Sequence, residues 1–198
     1  MRRPRELGAL AALLALAACP ARAAVGLDLP FDDGTATDVS GSGNHGQLLG
    51  DPEVVAGISG RALALDGDDD RVRIADAPSL QFTEPRVEVW FRLPGQAVAG
   101  ELISKRATDG GYRVSITSAG RVRFEAGAAG SSVATTTAFV IQPGVWTPVV
   151  VKYDGSRLDL YVYGELTASA DAAAVDVVSG APVVVGRGFA GWIDEVVV

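Results

Sequence analysis

The sequence has one cysteine, Cys19, and one histidine, His45, in 198 residues. If Cys19 is removed with the N-terminal segment described below, the remaining chain has no disulfide, no thiolate metal site and no cysteine nucleophile. A lone histidine also argues against a zinc site, since zinc takes several histidine or cysteine ligands. His45 lies in a glycine-rich stretch with no nucleophile-elbow motif, which argues against a Ser-His-Asp triad.

Positive charge is scarce as well. The chain has 17 Lys and Arg against 24 Asp and Glu, a net charge of −7. Removal of residues 1–23 takes away four arginines and one glutamate, which leaves 13 against 23, a net charge of −10. An acidic chain is a poor partner for nucleic acid or for anionic lipid, and it suits binding of cations. The alternative explanation is that the acidity only provides solubility.

Long apolar runs are confined to the N-terminus. Arg2, Arg3 and Arg5 precede an apolar run from Gly8 to Ala18, and Ala21-Arg22-Ala23 has the small-x-small cleavage pattern. The run is too short to remain as a membrane-spanning helix. Residues 1–23 are therefore predicted to be a signal peptide, and the protein is predicted to be exported to the periplasm or the extracellular space.

Cys19 leaves a second interpretation open. Leu16-Ala17-Ala18-Cys19 matches the lipobox of bacterial lipoproteins, in which the cysteine becomes the acylated N-terminus. Lipidation at Cys19 would make the protein an outer-surface lipoprotein with membrane contact through that anchor alone. We favour soluble export, because the first plausible strand begins only a few residues after Cys19 and leaves little tether.

The stretch from Val145 to Leu166 gives the clearest structural signal. Two β-branched or alternating runs, Thr147–Tyr153 and Arg157–Tyr163, flank the turn residues Asp154-Gly155-Ser156. Alternation of period two around an Asp-Gly turn predicts a β-hairpin. In the second run Leu158, Leu160 and Val162 share one face, and Asp159, Tyr161 and Tyr163 share the other.

The rest of the chain repeats this pattern, with about a dozen short strands and no convincing helix. Ala168–Ala174 is the one candidate for a helical turn, and Ser and Asp interrupt it. Short strands at close spacing predict an all-β, two-sheet antiparallel β-sandwich or jelly roll. Residues 24–198 are expected to form one domain. The other expected strands are Val25–Phe31, Gln47–Leu49, Arg61–Asp66, Arg71–Ile74, Pro85–Leu93, Glu101–Lys105, Tyr112–Ile116, Arg121–Glu125, Val133–Val140, Pro182–Gly186 and Trp192–Val198.

An ordered set of motifs resembles the LamG-like jelly-roll domains of the concanavalin A-like lectin/glucanase superfamily. The resemblance covers about Leu27 to Val198. The family often has an asparagine in the hairpin turn before Gly164, where this chain has Tyr163. The motifs that carry the resemblance are Phe31-Asp32, Asp38–Gly46, Gly60–Leu63 with Leu65–Gly67, Val87–Trp90, Trp146, Tyr153–Gly155, Leu160–Val162 with Gly164, and Gly191–Val196.

The Asp38–Gly46 loop is the best metal-site candidate. Calcium takes six to eight oxygen ligands, and Asp38, Asn44 and main-chain carbonyls near Gly41 and His45 can supply them. The alternative is an Asx-turn loop whose side chains bond their own backbone.

The resemblance implies that the N-terminal loop meets the last strand at a calcium ion. It therefore adds Asp194, and Asp32 as a further ligand, to a calcium site with a structural role. The acidic run Asp66-Gly67-Asp68-Asp69-Asp70 is interpreted instead as a solvated hairpin turn.

The residues argue against glycosidase chemistry, which needs two carboxyl groups held across the scissile bond. Catalytic members of the resembled superfamily place several acids on one strand face, and Glu88-Val89-Trp90 does not reproduce that run. Asp194 and Glu195 are adjacent, so on a regular strand they face opposite sides. The chain is therefore expected not to be an enzyme.

Two function hypotheses remain, and a glycoside hydrolase-like enzyme is the last alternative. The first is an exported carbohydrate-binding module with a structural calcium ion, in which Tyr161 and Tyr163 are the aromatic residues most accessible to a sugar. The second is a protein-interaction or adhesion module of the cell surface. The sequence does not identify the ligand.

Overall fold

The computed structural model describes residues 25–129 and 131–198. The expected signal peptide and Cys19 lie outside the described residues. A single short 3-10 helix is found within these ranges, at Pro78–Leu80. The strands are β1 Asp28–Leu29, β2 Gln47–Leu49, β3 Glu53–Ala56, β4 Arg61–Asp66, β5 Arg71–Ile74, β6 Arg86–Arg92, β7 Gly100–Arg106, β8 Gly111–Ile116, β9 Val122–Ala126, β10 Val133–Thr136, β11 Thr147–Tyr153, β12 Arg157–Val162, β13 Glu165–Asp171, β14 Val183–Val185 and β15 Ala190–Val197.

The strands form two antiparallel sheets, so the all-β sandwich predicted from the sequence is confirmed. The eight-stranded sheet has the order β13-β12-β11-β6-β15-β4-β3, with β1 paired to β15. The seven-stranded sheet has the order β10-β9-β8-β7-β14-β5-β2. None of the helices in the described ranges is both long and apolar enough to cross a membrane.

The predicted central hairpin forms between β11 and β12, where Val151 pairs with Leu160. Its turn is held by the Asp154 carboxylate, which accepts hydrogen bonds from the backbone N–H groups of Ser156 at 3.0 Å and Arg157 at 2.8 Å. Gly155 has φ +87°, a left-handed conformation that glycine adopts without a steric penalty. The hairpin is thus fixed locally by its turn residues.

The core lies between the sheets and follows the alternation of the strands. On β6, Val87, Val89 and Phe91 are buried, and Glu88 and Trp90 on the opposite face are half-buried. Because β6 lies between β11 and β15, its inward side chains pack against inward residues from both neighbours. Burial of each large apolar side chain contributes about 1.5–3 kcal/mol.

Two strands were not predicted, and both lie at an edge of the eight-stranded sheet. β3 and β13 have half-buried or exposed side chains along most of their length. An edge strand packs little apolar surface, so it shows no clear alternation in the sequence. The candidate helical turn at Ala168–Ala174 does not form as a helix, because Ala168–Asp171 pairs with β12 as part of β13.

Some strand ends also differ from the expected bounds. The first strand is confined to Asp28–Leu29. The strand expected at Val133–Val140 ends at Thr136, after which the Thr137 hydroxyl accepts a hydrogen bond from Val122 N–H and donates one to the Phe139 carbonyl. These side-chain bonds replace the strand ladder at that point.

A buried lysine joins three segments at one side of the sandwich. The Lys105 side chain is almost fully buried, and its ammonium group pairs with Asp76. It also donates hydrogen bonds to the carbonyls of Ser179 at 2.6 Å and Ala181 at 2.8 Å. The three partners satisfy the three donors of the ammonium group, which is why this cation can be buried.

The last strand, β15, is irregular near its end. Its pairing with β6 shifts register between Asp194 and Val197, and Glu195 has φ +48°. A bulge of this kind breaks the strict alternation of a strand. The expectation that Asp194 and Glu195 face opposite sides, as on a regular strand, therefore does not apply to this segment.

Candidate functional site

The Asp38 carboxylate is surrounded by donors from its own loop. It accepts hydrogen bonds from the backbone N–H groups of Asp28 at 3.0 Å, Ser40 at 2.9 Å and Asn44 at 2.8 Å. It accepts a further bond from the Ser40 hydroxyl at 3.0 Å. Burial disfavours the charged carboxylate, but the hydrogen bonds from Ser40, Asn44 and Asp28 outweigh burial and lower the pKa of Asp38.

Asn44 and His45 also bond neighbouring protein groups. The Asn44 amide donates to the Gly26 carbonyl at 2.6 Å and to the Ser79 hydroxyl at 2.8 Å. Nδ1 of His45 accepts a hydrogen bond from Asp38 N–H at 3.1 Å, which requires an unprotonated Nδ1. These bonds are those of the Asx-turn alternative, and calcium binding by Asp38 and Asn44 stays a prediction.

Asp194 lies on β15 with its side chain fully buried. Its Oδ2 accepts hydrogen bonds from the backbone N–H groups of Ile58 at 2.9 Å and Ser59 at 3.5 Å, in the turn between β3 and β4. Burial raises the pKa of Asp194 despite these bonds, and repulsion from Asp32 adds to the effect. Asp32 and Asp194 both lie near the β3–β4 turn, and their role as ligands of one metal ion stays a prediction.

Glu195 joins these two residues. Burial raises the pKa of Glu195, and repulsion from Asp194, Asp32 and Asp28 raises it further. Among the salt bridges within the described residues, none involves Asp32, Asp194 or Glu195. We call Asp32, Asp194 and Glu195 the carboxylate cluster. Sequence reasoning did not include Glu195, because strand alternation placed it on the opposite face from Asp194.

Two glycines of the β3–β4 turn lie in close contact with the carboxylates of Asp194 and Asp32. A Cβ on Gly57 would lie 2.3 Å from Oδ2 of Asp194, and a Cβ on Gly60 would lie 1.9 Å from Oδ1 of Asp32. Any side chain at either position would displace a carboxylate. Each of the two carboxylates therefore lies against the backbone of this turn, and calcium binding by Asp32 and Asp194 stays a prediction.

A second acidic group is formed by Asp66, Asp69 and Asp70. One carboxylate oxygen from each lies within 4.8 Å of the others, so the group could hold a metal ion. Its geometry also has a purely protein role: the buried Asp70 accepts hydrogen bonds from the N–H groups of Asp51 at 2.8 Å and Asp66 at 3.1 Å. The aspartates thus shape the turn that the sequence predicted.

The two predicted aromatic residues lie in different surroundings. Tyr161 is half-buried on the outer face of the eight-stranded sheet, with Nζ of Lys152 5.0 Å from its ring centroid. Tyr163 is 56% exposed in the β12–β13 turn, and its hydroxyl bonds Thr147 at 3.2 Å. Tyr163 has φ +52°, the left-handed region that asparagine tolerates better. A sugar-binding role for either tyrosine stays a prediction.

A groove of about 470 Å³ crosses the outer face of the seven-stranded sheet. Strands β7, β8 and β9 form its floor, and its walls are formed by the loop residues Ala107, Thr108, Ala129, Ser132 and Arg187. No residue of this groove was named as a site from the sequence. The charged residues that line it are Glu101, Arg106, Arg113, Glu125 and Arg187.

Glu125 lies at the centre of the charges in this groove. It forms ion pairs with Arg106, with Arg113 at 2.9 Å and with Arg123 at 3.4 Å, and it accepts a hydrogen bond from the Ser132 hydroxyl at 2.9 Å. Burial opposes its charge, but the hydrogen bonds from Arg106, Arg113 and Ser132 lower the pKa of Glu125 to about 2. Glu125 is therefore a carboxylate at any ordinary pH.

Glu101 holds the other end of the groove. Its carboxylate pairs with Arg113 at 3.4 Å and with Arg187 at 3.5 Å, and it accepts a hydrogen bond from the Ser104 hydroxyl at 2.7 Å. Arg113 thus bridges both glutamates. We call Glu101, Glu125 and their four arginine partners, Arg106, Arg113, Arg123 and Arg187, the arginine–glutamate network.

One signal in the sequence pointed to this network. On β9, Val122 and Phe124 face the core, and the charged Arg121, Arg123 and Glu125 alternate with them. The alternation predicts a charged outer face. The partners on β7 and β8 depend on strand pairings that the sequence does not specify.

A family model described as the concanavalin A-like lectin/glucanases superfamily, Laminin_G_3, matches residues 66–198. No curated protein sequence matches the chain significantly.

Several solved structures are similar to this chain. One is the binding domain of Paraclostridial Mosquitocidal Protein 1, with TM-score 0.76, 14% identity, 87% of this chain covered and 48% of that one. The chain therefore spans about half the length of that binding domain. Another is Domain 4 of AbnA, a GH43 extracellular arabinanase from Geobacillus stearothermophilus, in complex with arabinotriose, with TM-score 0.73, 20% identity, 87% of this chain covered and 90% of that one. A third is the binding domain of botulinum neurotoxin DC in complex with SialylT, with TM-score 0.71, 15% identity, 88% of this chain covered and 47% of that one. At these identities the similarity shows the fold alone.

Proposed function

Because the chain belongs to the concanavalin A-like lectin/glucanase superfamily, we propose that it is an exported, non-catalytic module that binds carbohydrate and is stabilised by calcium. The groove with the arginine–glutamate network carries the carbohydrate part of this proposal. The carboxylate cluster carries the calcium part.

The chemistry of the groove suits sugar hydroxyls. A hydroxyl both donates and accepts hydrogen bonds, and the groove presents guanidinium donors and carboxylate acceptors side by side. The side chains are held in place by one another, so little side-chain freedom is lost when a ligand binds. AbnA Domain 4, which has this fold, was solved with arabinotriose, and that complex supports the ligand class.

The same geometry argues against hydrolysis. A glycosidase needs a carboxylic acid that remains protonated near neutral pH. Glu125 has a pKa of about 2 because its arginine partners stabilise the charge, and Glu101 is held between two arginines. Glu125 is therefore not suited to donate a proton to a leaving group.

Calcium would be held by the carboxylate cluster. Asp32 and Asp194 were predicted ligands, and the geometry adds Glu195. The ion would neutralise their mutual repulsion and join the segment after β1 to β15. Its chemistry in this position is structural, since the cluster is separate from the groove residues. The predicted ligands Asp38 and Asn44 form the alternative ligand set for calcium.

The test is a binding screen of the purified chain against neutral and acidic polysaccharides, by affinity electrophoresis and calorimetry. The structural probe is Ala107→Trp, which places a large side chain at an exposed position in the groove wall. The matched control is Ala173→Trp, at an exposed alanine outside the groove. We expect loss of binding in the first variant alone. The proposal fails if the wild-type chain retains no saccharide from the panel.

Exposed apolar side chains support a second candidate function, a protein-interaction module. Val98, Phe139, Val140 and Val145 are more than 40% exposed. Val140 and Val145 lie on one loop. In this loop Ile141 N–H donates to the Gly120 carbonyl at 2.7 Å, and Gly144 N–H donates to the Leu93 carbonyl at 2.8 Å. Apolar patches of this kind mark protein contacts in many soluble proteins. A double substitution, Phe139→Ser with Val140→Ser, is expected to leave saccharide binding unchanged and to abolish any protein partnership.

A further inference from the structure

The arginine–glutamate network has more cations than anions. Four arginines share two glutamates, so the network carries a net charge of +2 within a chain of net charge −7. Another concavity of this surface has the opposite character: Asp51, Glu53, Asp66, Asp69 and Asp70 line it with no basic residue. Three of the four arginines and both glutamates line the groove, so its lining carries a net charge of +1 on an acidic molecule.

The central arginine also has an unused donor. Nε of Arg113 is buried and has no hydrogen-bond partner among the described residues. Its two terminal nitrogens already contact Glu101 at 3.4 Å and Glu125 at 2.9 Å. Part of the hydrogen-bonding capacity of this guanidinium is therefore unused, and a buried donor without a partner is destabilising.

The outermost arginine is weakly held and accessible. The Arg187 side chain is 55% exposed, and its only recorded ion pair in the described residues is the 3.5 Å contact with Glu101. A guanidinium at such a distance has donors free to rotate toward a ligand. A planar carboxylate matches the fork of a guanidinium group and forms two parallel hydrogen bonds with it.

From these observations we propose that the groove selects acidic saccharides, with a sugar carboxylate supplying the anion that the four arginines lack. This inference rests on the proposed carbohydrate binding and adds the substrate class. Arg187 is the residue expected to pair with the ligand carboxylate, and Glu101 and Glu125 are expected to accept hydrogen bonds from neighbouring sugar hydroxyls.

The experiment compares two ligands with the same sugar backbone, oligogalacturonate and its methyl ester. Calorimetry at low ionic strength is expected to give the carboxylated form at least about tenfold higher affinity, the size of one charge-assisted hydrogen bond. The advantage should shrink as sodium chloride is added, since exposed charges are screened. Dextran sulfate is used to test whether the groove binds any polyanion, whatever its charged group.

Two variants locate the effect. Arg187→Gln is expected to reduce affinity for oligogalacturonate about tenfold and to reduce affinity for the methyl ester by a clearly smaller factor. The matched control is Arg157→Gln, because Arg157 is similarly exposed and pairs with Asp159 at 3.0 Å on the other sheet. The control is expected to bind like the wild-type chain.

Each alternative result has a distinct meaning. Equal affinity for the two ligands, or binding of a neutral polysaccharide alone, overturns the acidic selectivity and leaves the proposed carbohydrate binding intact. Equal retention of dextran sulfate overturns recognition of a sugar carboxylate in favour of a general polyanion site. Equal losses in Arg187→Gln and Arg157→Gln place the effect outside the groove and overturn the inference. If no saccharide binds, both proposals fall.

Discussion

Asp194 and Glu195 of the carboxylate cluster and Glu125 of the arginine–glutamate network are all buried or half-buried, yet their pKa values shift in opposite directions. Burial raises the pKa of Asp194 and Glu195, and their acidic neighbours raise it further. Burial also opposes the charge of Glu125, but Arg106, Arg113 and Ser132 reverse the effect and lower its pKa to about 2. The charged groups next to each acid, rather than its burial, therefore decide the direction of its pKa shift. The network carries its own cations, whereas none of the salt bridges within the described residues brings a cation to the cluster.

The strongest test of this difference is calcium addition. Calcium at 100 times its dissociation constant is expected to add about 2.7 kcal/mol to the free energy of unfolding, measured by denaturation with and without chelator. Asp194→Asn is expected to abolish the gain, because it removes a buried ligand charge. Asp38→Asn separates the two candidate ligand sets. If it abolishes the gain while Asp194→Asn does not, calcium binds at the Asp38–Gly46 loop instead of the cluster.

The network should respond in the opposite sense, since its charges are already paired. Glu125→Gln is expected to lower the free energy of unfolding by about 2 kcal/mol, because it breaks charge-assisted bonds to Arg106 and Arg113. Calcium should stabilise this variant as much as it stabilises the wild-type chain. Urea denaturation gives both values, and an unchanged midpoint in Glu125→Gln would show that the network contributes nothing to stability.

The pH dependence sharpens the contrast further. The folded pKa of Glu125 lies below its usual value of 4.5, so its stabilising contribution is fully present above about pH 4.5 and is lost as the pH falls through about 2. The stability difference between wild type and Glu125→Gln should follow that loss. For Asp194 the folded pKa is raised, so without calcium its ionised form destabilises the fold, and this cost is relieved as the pH falls through the folded pKa. Denaturation series at stepped pH in chelator compare Glu125→Gln and Asp194→Asn with wild type. If the stability differences of the two variants from wild type changed with pH in the same way, the contrast between Glu125 and Asp194 would be contradicted.

The smallest effect is expected at an exposed pair. Arg157 pairs with Asp159 at 3.0 Å on the surface of the eight-stranded sheet. Exposed pairs contribute about 0–1 kcal/mol, so Arg157→Gln should shift the unfolding midpoint only slightly. A loss as large as that of Glu125→Gln would mean that burial does not distinguish the two pairs.

Much of the fold could be predicted because its signals are local. The Asp154 turn and the alternation of Leu158 and Leu160 are written in neighbouring residues, and both are confirmed. The edge strand β13 escaped prediction because its side chains are mostly exposed or half-buried, so burial imposed no apolar period on them.

The site was less predictable because it depends on long-range pairing and on one bulge. The strand alternation used for Asp194 and Glu195 does not hold there because Glu195 is left-handed and interrupts β15, and no residue type in that segment signals it. The network needs β7, β8 and β9 side by side before Glu101 and Arg113 can meet. The family resemblance supplied Asp32 and Asp194 together, which spacing along the chain alone could not.

The pairing of the first and last described segments has a mechanical consequence. Gly26 N–H and Leu27 N–H both donate to the Val198 carbonyl, at 2.8 Å and 3.1 Å, and Val198 N–H donates to Leu27 at 2.9 Å. A pulling force applied between Gly26 and Val198 therefore loads these bonds one after another, as a zipper does, and not all together as in shear. Once these bonds break, resistance to the pulling force would come from contacts between β15, which carries Asp194, and the segment after β1, which carries Asp32. A cation bound between them would resist further separation of the two segments.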